Sequence, residues 1–260
     1  VGFFDFGVGG LSVLQAARRL LPRENLIYFA DSAHCPYGSK SGDFVRQRAL
    51  AITGFLQARG AKAVVVACNS ASEAALESLR GAFPELEIVG VEPAVQVART
   101  VSRNKKIGVL GTALTLKGRR FYRLLENFSA GMEVYTQLVS GLVELIEAGK
   151  FAGPRAAAIL KKNLLPLLDK GIDTLVLGCT HYPIIREKIA AFCGPQVEVI
   201  DTGEPVARQL RRRLAATRRL NPGPGPGKID YFSSGTLPAA TAVMRLIMAD
   251  PALAVSRGPV

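Results

Sequence analysis

Two periodicities alternate along this chain. Short apolar runs are followed by longer stretches in which apolar positions return every three or four residues. Gly2–Phe6 is the first run and stops at Gly7, Gly9 and Gly10; Leu11–Leu21 then has helical spacing and ends before Pro22. Leu26–Ala30 reads as a strand, Asp31–Ser41 as a polar loop, and Phe44–Arg59 as an amphipathic helix closed by Gly60. Ala63–Ala67 is β-branched, too short for a helix and bounded by polar residues, which predicts a buried parallel strand. Ala71–Gly81 reads as a helix and Leu86–Val91 as a strand.

The same grammar returns in the second half. Lys106–Leu110, Glu133–Leu138, Thr174–Leu177 and Val197–Ile200 read as strands. Thr115–Glu126, Gly141–Ala148, Pro154–Lys170 and Ile184–Phe192 read as the helices between and around them. Gly203–Leu220 is a helical stretch, residues 221–227 a Pro/Gly connector, Ile229–Phe232 a strand and Leu237–Met248 a helix. Strands alternating with helices predict parallel sheets covered on both faces.

Aligning the elements exposes an internal repeat. Val1–Gly7 precedes Ile107–Gly111 by 106 residues, and Val64–Ser70 precedes Thr174–Thr180 by 111 in the cysteine register. Each half carries a strand, a small residue, a Cys, polar residues and a helix. The expected fold is α/β: two doubly wound parallel-sheet domains related by pseudo-two-fold symmetry, with the active site in the cleft between them. The first domain is expected to comprise residues 1–94 plus 205–260, and the second residues 95–204.

Composition narrows the function classes. With 48% hydrophobic and 21% charged residues over 260 positions, the chain can bury a sizeable core, which excludes a disordered or fibrous protein. No apolar run approaches the ~18–20 residues of a membrane span, so no membrane partner is expected. The first residues lack the basic-then-apolar order of a signal peptide, and a reducing, cytoplasmic setting is the expectation. Four cysteines are too few for a disulfide scaffold, and two histidines exclude a three-histidine metal site. The balance of 33 Lys+Arg against 21 Asp+Glu fits nucleic acid, an anionic small substrate or a solvated surface equally. Arg208, Arg211, Arg212 and Arg219 share part of one helical stripe, which without interleaved aromatics reads as a solvated face; nucleic acid is disfavoured as a partner.

The chemistry concentrates at Cys68 and Cys179. Each follows an apolar strand and precedes a helix, the place where open α/β sheets bind ligands and where a helix N-terminus favours a thiolate. A free Cys is commonly a small buried hydrophobe. Here Asn69-Ser70 follows one and Thr180-His181 the other, which is unusual company for core cysteines. Cys35 and Cys193 lack such a setting and read as bystanders. Two thiols across a cleft suit inversion of a carbon stereocentre, with a base on one face and an acid on the other. His181 is placed to act as an acid–base partner, although a lone His is more often core or surface. Asp5 lies at the end of the first strand, where a turn or capping role is equally open. The glycines after it resemble a phosphate loop only weakly. Pro36-Tyr37-Gly38 offers a hydroxyl and a backbone contact, or an ordinary turn.

Four segments carry a family resemblance: Asp5 with Gly7-Val8-Gly9-Gly10-Leu11, Cys35-Pro36-Tyr37-Gly38, Ala67-Cys68-Asn69-Ser70-Ala71-Ser72, and Gly178-Cys179-Thr180-His181-Tyr182-Pro183. In order and spacing they resemble the motifs of the glutamate racemases, and Phe232-Ser233-Ser234-Gly235 extends the likeness towards the end. The resemblance implies interconversion of L- and D-glutamate by two-thiol proton transfer, with no cofactor and no metal, supplying D-glutamate for peptidoglycan; a homodimer is compatible with it. It implies catalytic roles for Cys68 and Cys179, with Asp5 and His181 as their helpers, and for Glu144 near the second thiol. It implies substrate contacts from Asp5, Tyr37, Gly38, Asn69, Ser70, Thr180 and His181. One position departs: Phe6 stands where the family has a substrate-contacting Ser. Three consequences stay open there: another donor substitutes, a different amino acid is taken, or activity falls; racemisation of a related acidic or hydantoin-type substrate is the enzymatic alternative. A nucleic-acid-binding protein with a decayed site is the reading from a different class.

Overall fold

The computed structural model describes residues 1–260. Two all-parallel sheets form. The larger takes β1 (Gly2–Asp5), β2 (Leu26–Ala30), β3 (Ala63–Val66), β4 (Glu87–Gly90), β9 (Ile229–Ser233) and β10 (Val255–Arg257) in the order β10-β9-β2-β1-β3-β4. The smaller takes β5 (Lys106–Gly111), β6 (Glu133–Leu138), β7 (Thr174–Leu177) and β8 (Glu198–Ile200) in the order β6-β5-β7-β8. The core orders 2-1-3-4 and 6-5-7-8 are the same winding, so β1 corresponds to β5 and β3 to β7. The repeat holds at single-residue register. Phe4 pairs with Val66, and Leu110, 106 residues after Phe4, pairs with Leu177, 111 after Val66. The next rung also repeats: Ala67 N–H donates to Phe4 O and Gly178 N–H to Leu110 O, both at 2.8 Å.

The helices are α1 (Leu11–Leu20), α2 (Gly42–Ala58), α3 (Asn69–Ala82), α4 (Val95–Val101), α5 (Ala113–Leu116), α6 (Arg119–Phe128), α7 (Leu142–Glu147), α8 (Pro154–Leu168), α9 (Arg186–Cys193), α10 (Gly203–Ala216) and α11 (Leu237–Met248). Right-handed crossovers that step in opposite directions from β1 and from β2 put α1 and α2 on opposite faces of the large sheet. There α1 pairs with α10, and α2 with α3. This covering explains why β1 and β3 are buried at every residue rather than alternating; β7 of the small sheet, with α4 packed against it, is buried throughout as well. One apolar cluster runs through both halves; a smaller one, around Val95, Ile107, Phe121 and Val176, fills the space beneath α4 and α6.

Several local expectations change. The single helix expected over Thr115–Glu126 is two, α5 and α6, broken at Lys117-Gly118. Gly118 is extended there, and the Glu73 carboxylate on α3 accepts from Arg120 N–H at the start of α6. The Arg-rich helix stops at Ala216, not Leu220. Arg218 enters the left-handed region (φ 55°), and Arg219 turns back to donate to the carbonyls of Lys62 and Glu85. Arg208, Arg211 and Arg212 of the stripe are exposed, as expected, while Arg213 beside them pairs with Glu87 of β4. Helix α4 and strand β10 were not expected; both are short, and β10 is a half-exposed edge with no apolar run.

Candidate active site

Asp5 ends β1 and Cys68 follows β3, so both stand at the carboxyl ends of adjacent strands. The chain reverses its winding between those strands, which is where an open sheet leaves a crevice. Cys179 occupies the matching position after β7. The Cys68 sulfur caps α3, accepting from Ala71 N–H at 3.3 Å. Burial pushes its thiol well above the ordinary value, and the adjacent Asp5 carboxylate adds to this. Asp5 is itself fully buried and its carboxyl is raised to about 6 by loss of solvent, with His181 and Thr180 acting against that rise.

The second half closes onto this loop through specific bonds. Thr180 Oγ1 donates to Asp5 Oδ2 at 2.9 Å, and Ser12 Oγ donates to Thr180 O at 2.9 Å. His181 Nδ1 lies 3.9 Å from the Cys179 sulfur and 3.9 Å from Asp5 Oδ2, while Nε2 lies 2.5 Å from Glu147 Oε1. The same Glu147 oxygen accepts from Val8 N–H at 2.6 Å. Burial alone would favour the neutral imidazole; the contacts with Cys179 and Glu147 outweigh it and hold the His181 pKa well above the ordinary value. The glycine loop permits this approach. A Cβ on Gly9 would stand 2.1 Å from His181 Nδ1, and one on Gly7 2.0 Å from Glu147 Oε1.

Other predicted positions divide. Asn69 is buried, and both its amide nitrogen and its oxygen lack any protein partner, which leaves them open to a ligand. Ser70 Oγ meets Thr112 Oγ1 of the second half at 3.0 Å, and a Cβ on Gly38 would touch Thr112 as well. The Tyr37 hydroxyl, expected to be on offer to a ligand, donates instead to Asp31 Oδ2 at 2.5 Å. Glu144, expected beside the second thiol, is exposed; the carboxylate bonded to His181 is Glu147, three residues later on α7. Phe6 is buried, stacked face to face on the His181 ring (centroids 4.7 Å apart, planes 9°) and 5.5 Å from the Tyr37 ring. Glu144, Glu147, Val8 and the half-buried Cys35 line a neighbouring cavity of about 360 Å³. No group of three His, Cys, Asp or Glu side chains is arranged to hold a metal ion.

Sequence reasoning missed one hub entirely. Asp31, buried at the end of β2, accepts from Tyr37 Oη, from Arg48 Nε and Nη2 (2.9 and 2.8 Å) and from Ser234 Oγ (2.7 Å), and meets His34 Nδ1 at 3.0 Å. These donors outweigh burial and hold its carboxyl below the usual range. Only its place at a strand end, like that of Asp5, marked it in the sequence.

Fold and site together define a two-domain α/β protein with a buried thiol at the ligand-binding end of each matched sheet, one beside a carboxylate and one beside an imidazole. A sequence model of the Asp/Glu/hydantoin racemases matches residues 11–210. The chain is 50% identical over 223 residues to a glutamate racemase of Pseudomonas aeruginosa, covering 86% of this chain and 84% of that one. It is 47% identical over 252 residues to one from Ectopseudomonas mendocina, covering 97% and 95%. A Bacillus anthracis glutamate racemase structure superposes with a TM-score of 0.89 at 31% identity, covering 100% of this chain and 96% of that one. An Escherichia coli glutamate racemase solved with L-glutamate and an activator superposes at 0.85 with 30% identity, covering 98% and 96%. The chain belongs to the Asp/Glu/hydantoin racemase family. It is an amino-acid racemase, an isomerase.

Proposed function

We propose that this enzyme interconverts L- and D-glutamate by proton transfer between Cys68 and Cys179. The observation that carries this reading is the matched placement of the two thiols after β3 and β7, each with its own acid–base neighbour. One thiolate removes the α-proton while the opposite thiol delivers its own, and the roles exchange with the direction of turnover. Asp5 holds and releases the proton at Cys68; His181 does so at Cys179, with Glu147 favouring the imidazolium. The carboxylate role that the resemblance gave to Glu144 passes in this reading to Glu147. The unpartnered Asn69 amide, Ser70, Thr180 and the backbone at Tyr37-Gly38 bind the substrate and offset charge developing at the α-carbon. The setting is the cytoplasm, the product D-glutamate for peptidoglycan, and a homodimer is the assembly to test.

The test follows optical activity of both enantiomers in D₂O. Racemisation with one solvent deuteron entering the α-position supports the reading, as does its loss in Cys68→Ser and Cys179→Ser. Absence of exchange at saturating glutamate refutes it. Phe6 favours a second reading, a related acidic substrate. A hydrogen bond to a charged group contributes about 1.5–3 kcal/mol, and a phenyl ring supplies none. If Phe6 sets the substrate, Phe6→Ser gains glutamate turnover at the expense of aspartate; equal preference in both proteins removes this reading.

A further inference from the structure

A two-base racemase ends each turnover in the wrong protonation state to repeat it. If Cys68 has taken the α-proton and Cys179 has given one, Cys68 is a thiol and Cys179 a thiolate. Another turnover in the same direction needs one proton to return from the first sulfur to the second. Both sulfurs are buried, Cys68 being 1% and Cys179 2% exposed, which favours a return path inside the protein over one through water.

We infer that Asp5 and His181 form a relay that carries this proton between the two thiols, resetting the free enzyme. The inference rests on the two-thiol reading above. Its geometric basis is the position of one nitrogen. His181 Nδ1 stands at 3.9 Å from both the Cys179 sulfur and Asp5 Oδ2, so one atom serves a partner from each half. On the other side, Asp5 ends the strand next to the one that Cys68 follows, and its carboxylate acts on the buried thiol. The order Cys68–Asp5–His181–Cys179 thus spans the two thiols through buried groups only, and the 3.9 Å separations about His181 Nδ1 must shorten before a proton crosses them.

The steps balance with one proton moved. His181 gives its Nδ1 proton to the Cys179 thiolate, Cys68 gives its thiol proton to the Asp5 carboxylate, and the Asp5 carboxyl returns a proton to Nδ1. Throughout, Nε2 keeps its contact with Glu147. An Asp5 carboxyl raised to about 6 by burial is suited to holding a proton briefly near neutral pH. The groups facing the imidazole are Cys179, Asp5 and Glu147, with the stacked Phe6 ring covering one face against water.

Counterflow of label measures the reset directly. Enzyme is equilibrated with labelled racemic glutamate, and excess unlabelled D-glutamate is added. A slow reset strands the enzyme in the form that takes up L-glutamate, so label is driven transiently from L to D. The wild type is expected to show counterflow only at high substrate, at a threshold that added imidazole leaves unchanged. Asp5→Asn is expected to show it at a substrate concentration at least about tenfold lower, because a positioned proton carrier is lost. Added imidazole should raise that threshold, and Asp5→Glu should restore it even with slower turnover. A wild-type threshold that rises with imidazole means reset through solvent and overturns the relay, a result that needs no variant to fold. An unchanged threshold in Asp5→Asn overturns the relay alone. Absence of racemisation by the wild type overturns both the relay and the reading beneath it.

Discussion

Glu147→Gln keeps the shape beside His181 and removes only the charge. In the wild type one oxygen of Glu147 accepts from Val8 N–H at 2.6 Å and meets His181 Nε2 at 2.5 Å; the His181 side chain is fully buried and that of Glu147 only 16% exposed. Screening by water is therefore weak, and a hydrogen bond to a charged group is worth about 1.5–3 kcal/mol. Losing the charged component of this bond should cost roughly 10- to 100-fold in kcat/KM at neutral pH. The sign follows from the direction of the His181 shift. A raised pKa stabilises the fold fully below the unfolded histidine value, and that stability is lost as pH rises through the folded value. Removing Glu147 lowers the folded value, so the alkaline limb of kcat/KM moves towards acid and the stabilised window narrows from its alkaline side. The assay combines a pH profile with imidazole ¹⁵N NMR, which is tractable because His34 is the only other histidine. Glu144→Gln should move the limb much less, since Glu144 is exposed and has no bond to the imidazole. An alkaline limb and a His181 titration that coincide with wild type in Glu147→Gln would refute the reasoning.

Two further outcomes test the surroundings of the site. Gly9→Ala places a methyl 2.1 Å from His181 Nδ1, so the halves must separate locally; overpacking of this kind costs about 1–3 kcal/mol, and racemisation should fall far more than the thermal midpoint does. Wild-type kinetics in Gly9→Ala would show that this approach is not needed for turnover. Asp31→Asn weakens the carboxylate that orders Tyr37, Arg48 and Ser234, at a cost of about 3–5 kcal/mol for breaking a buried pair. Because the Asp31 pKa is lowered, its stabilisation is present above the unfolded carboxylate value and lost as pH falls through the folded one. The variant should therefore lose most of the difference between neutral and acid stability in urea titrations. A parallel pH dependence in both proteins would exclude Asp31 as its source.

The sequence by itself determined the winding of both halves. Apolar runs too short for helices, alternating with helical periods, leave few topologies once crossovers must be right-handed. The offsets of 106 and 111 residues located the two thiols at equivalent strand ends, and the pairing of Phe4 with Val66 and Leu110 with Leu177 repeats those offsets. Strand ends are legible because side-chain period and turn chemistry are local properties. What crosses between the halves is not local, and only the tertiary structure decided it. Glu144 and Glu147 sit within one turn of the same helix, and nothing in their sequence separates them; packing of α7 against the glycine loop selects Glu147 for His181. Tyr37 offers a hydroxyl in the sequence, and only the fold commits it to the buried Asp31. Phe6 was visible as a departure, but its stack on His181 exists only because the second half brings that imidazole over Gly9. Backbone pattern is written along the chain, whereas the partner of a buried charge is settled by which groups the fold desolvates together.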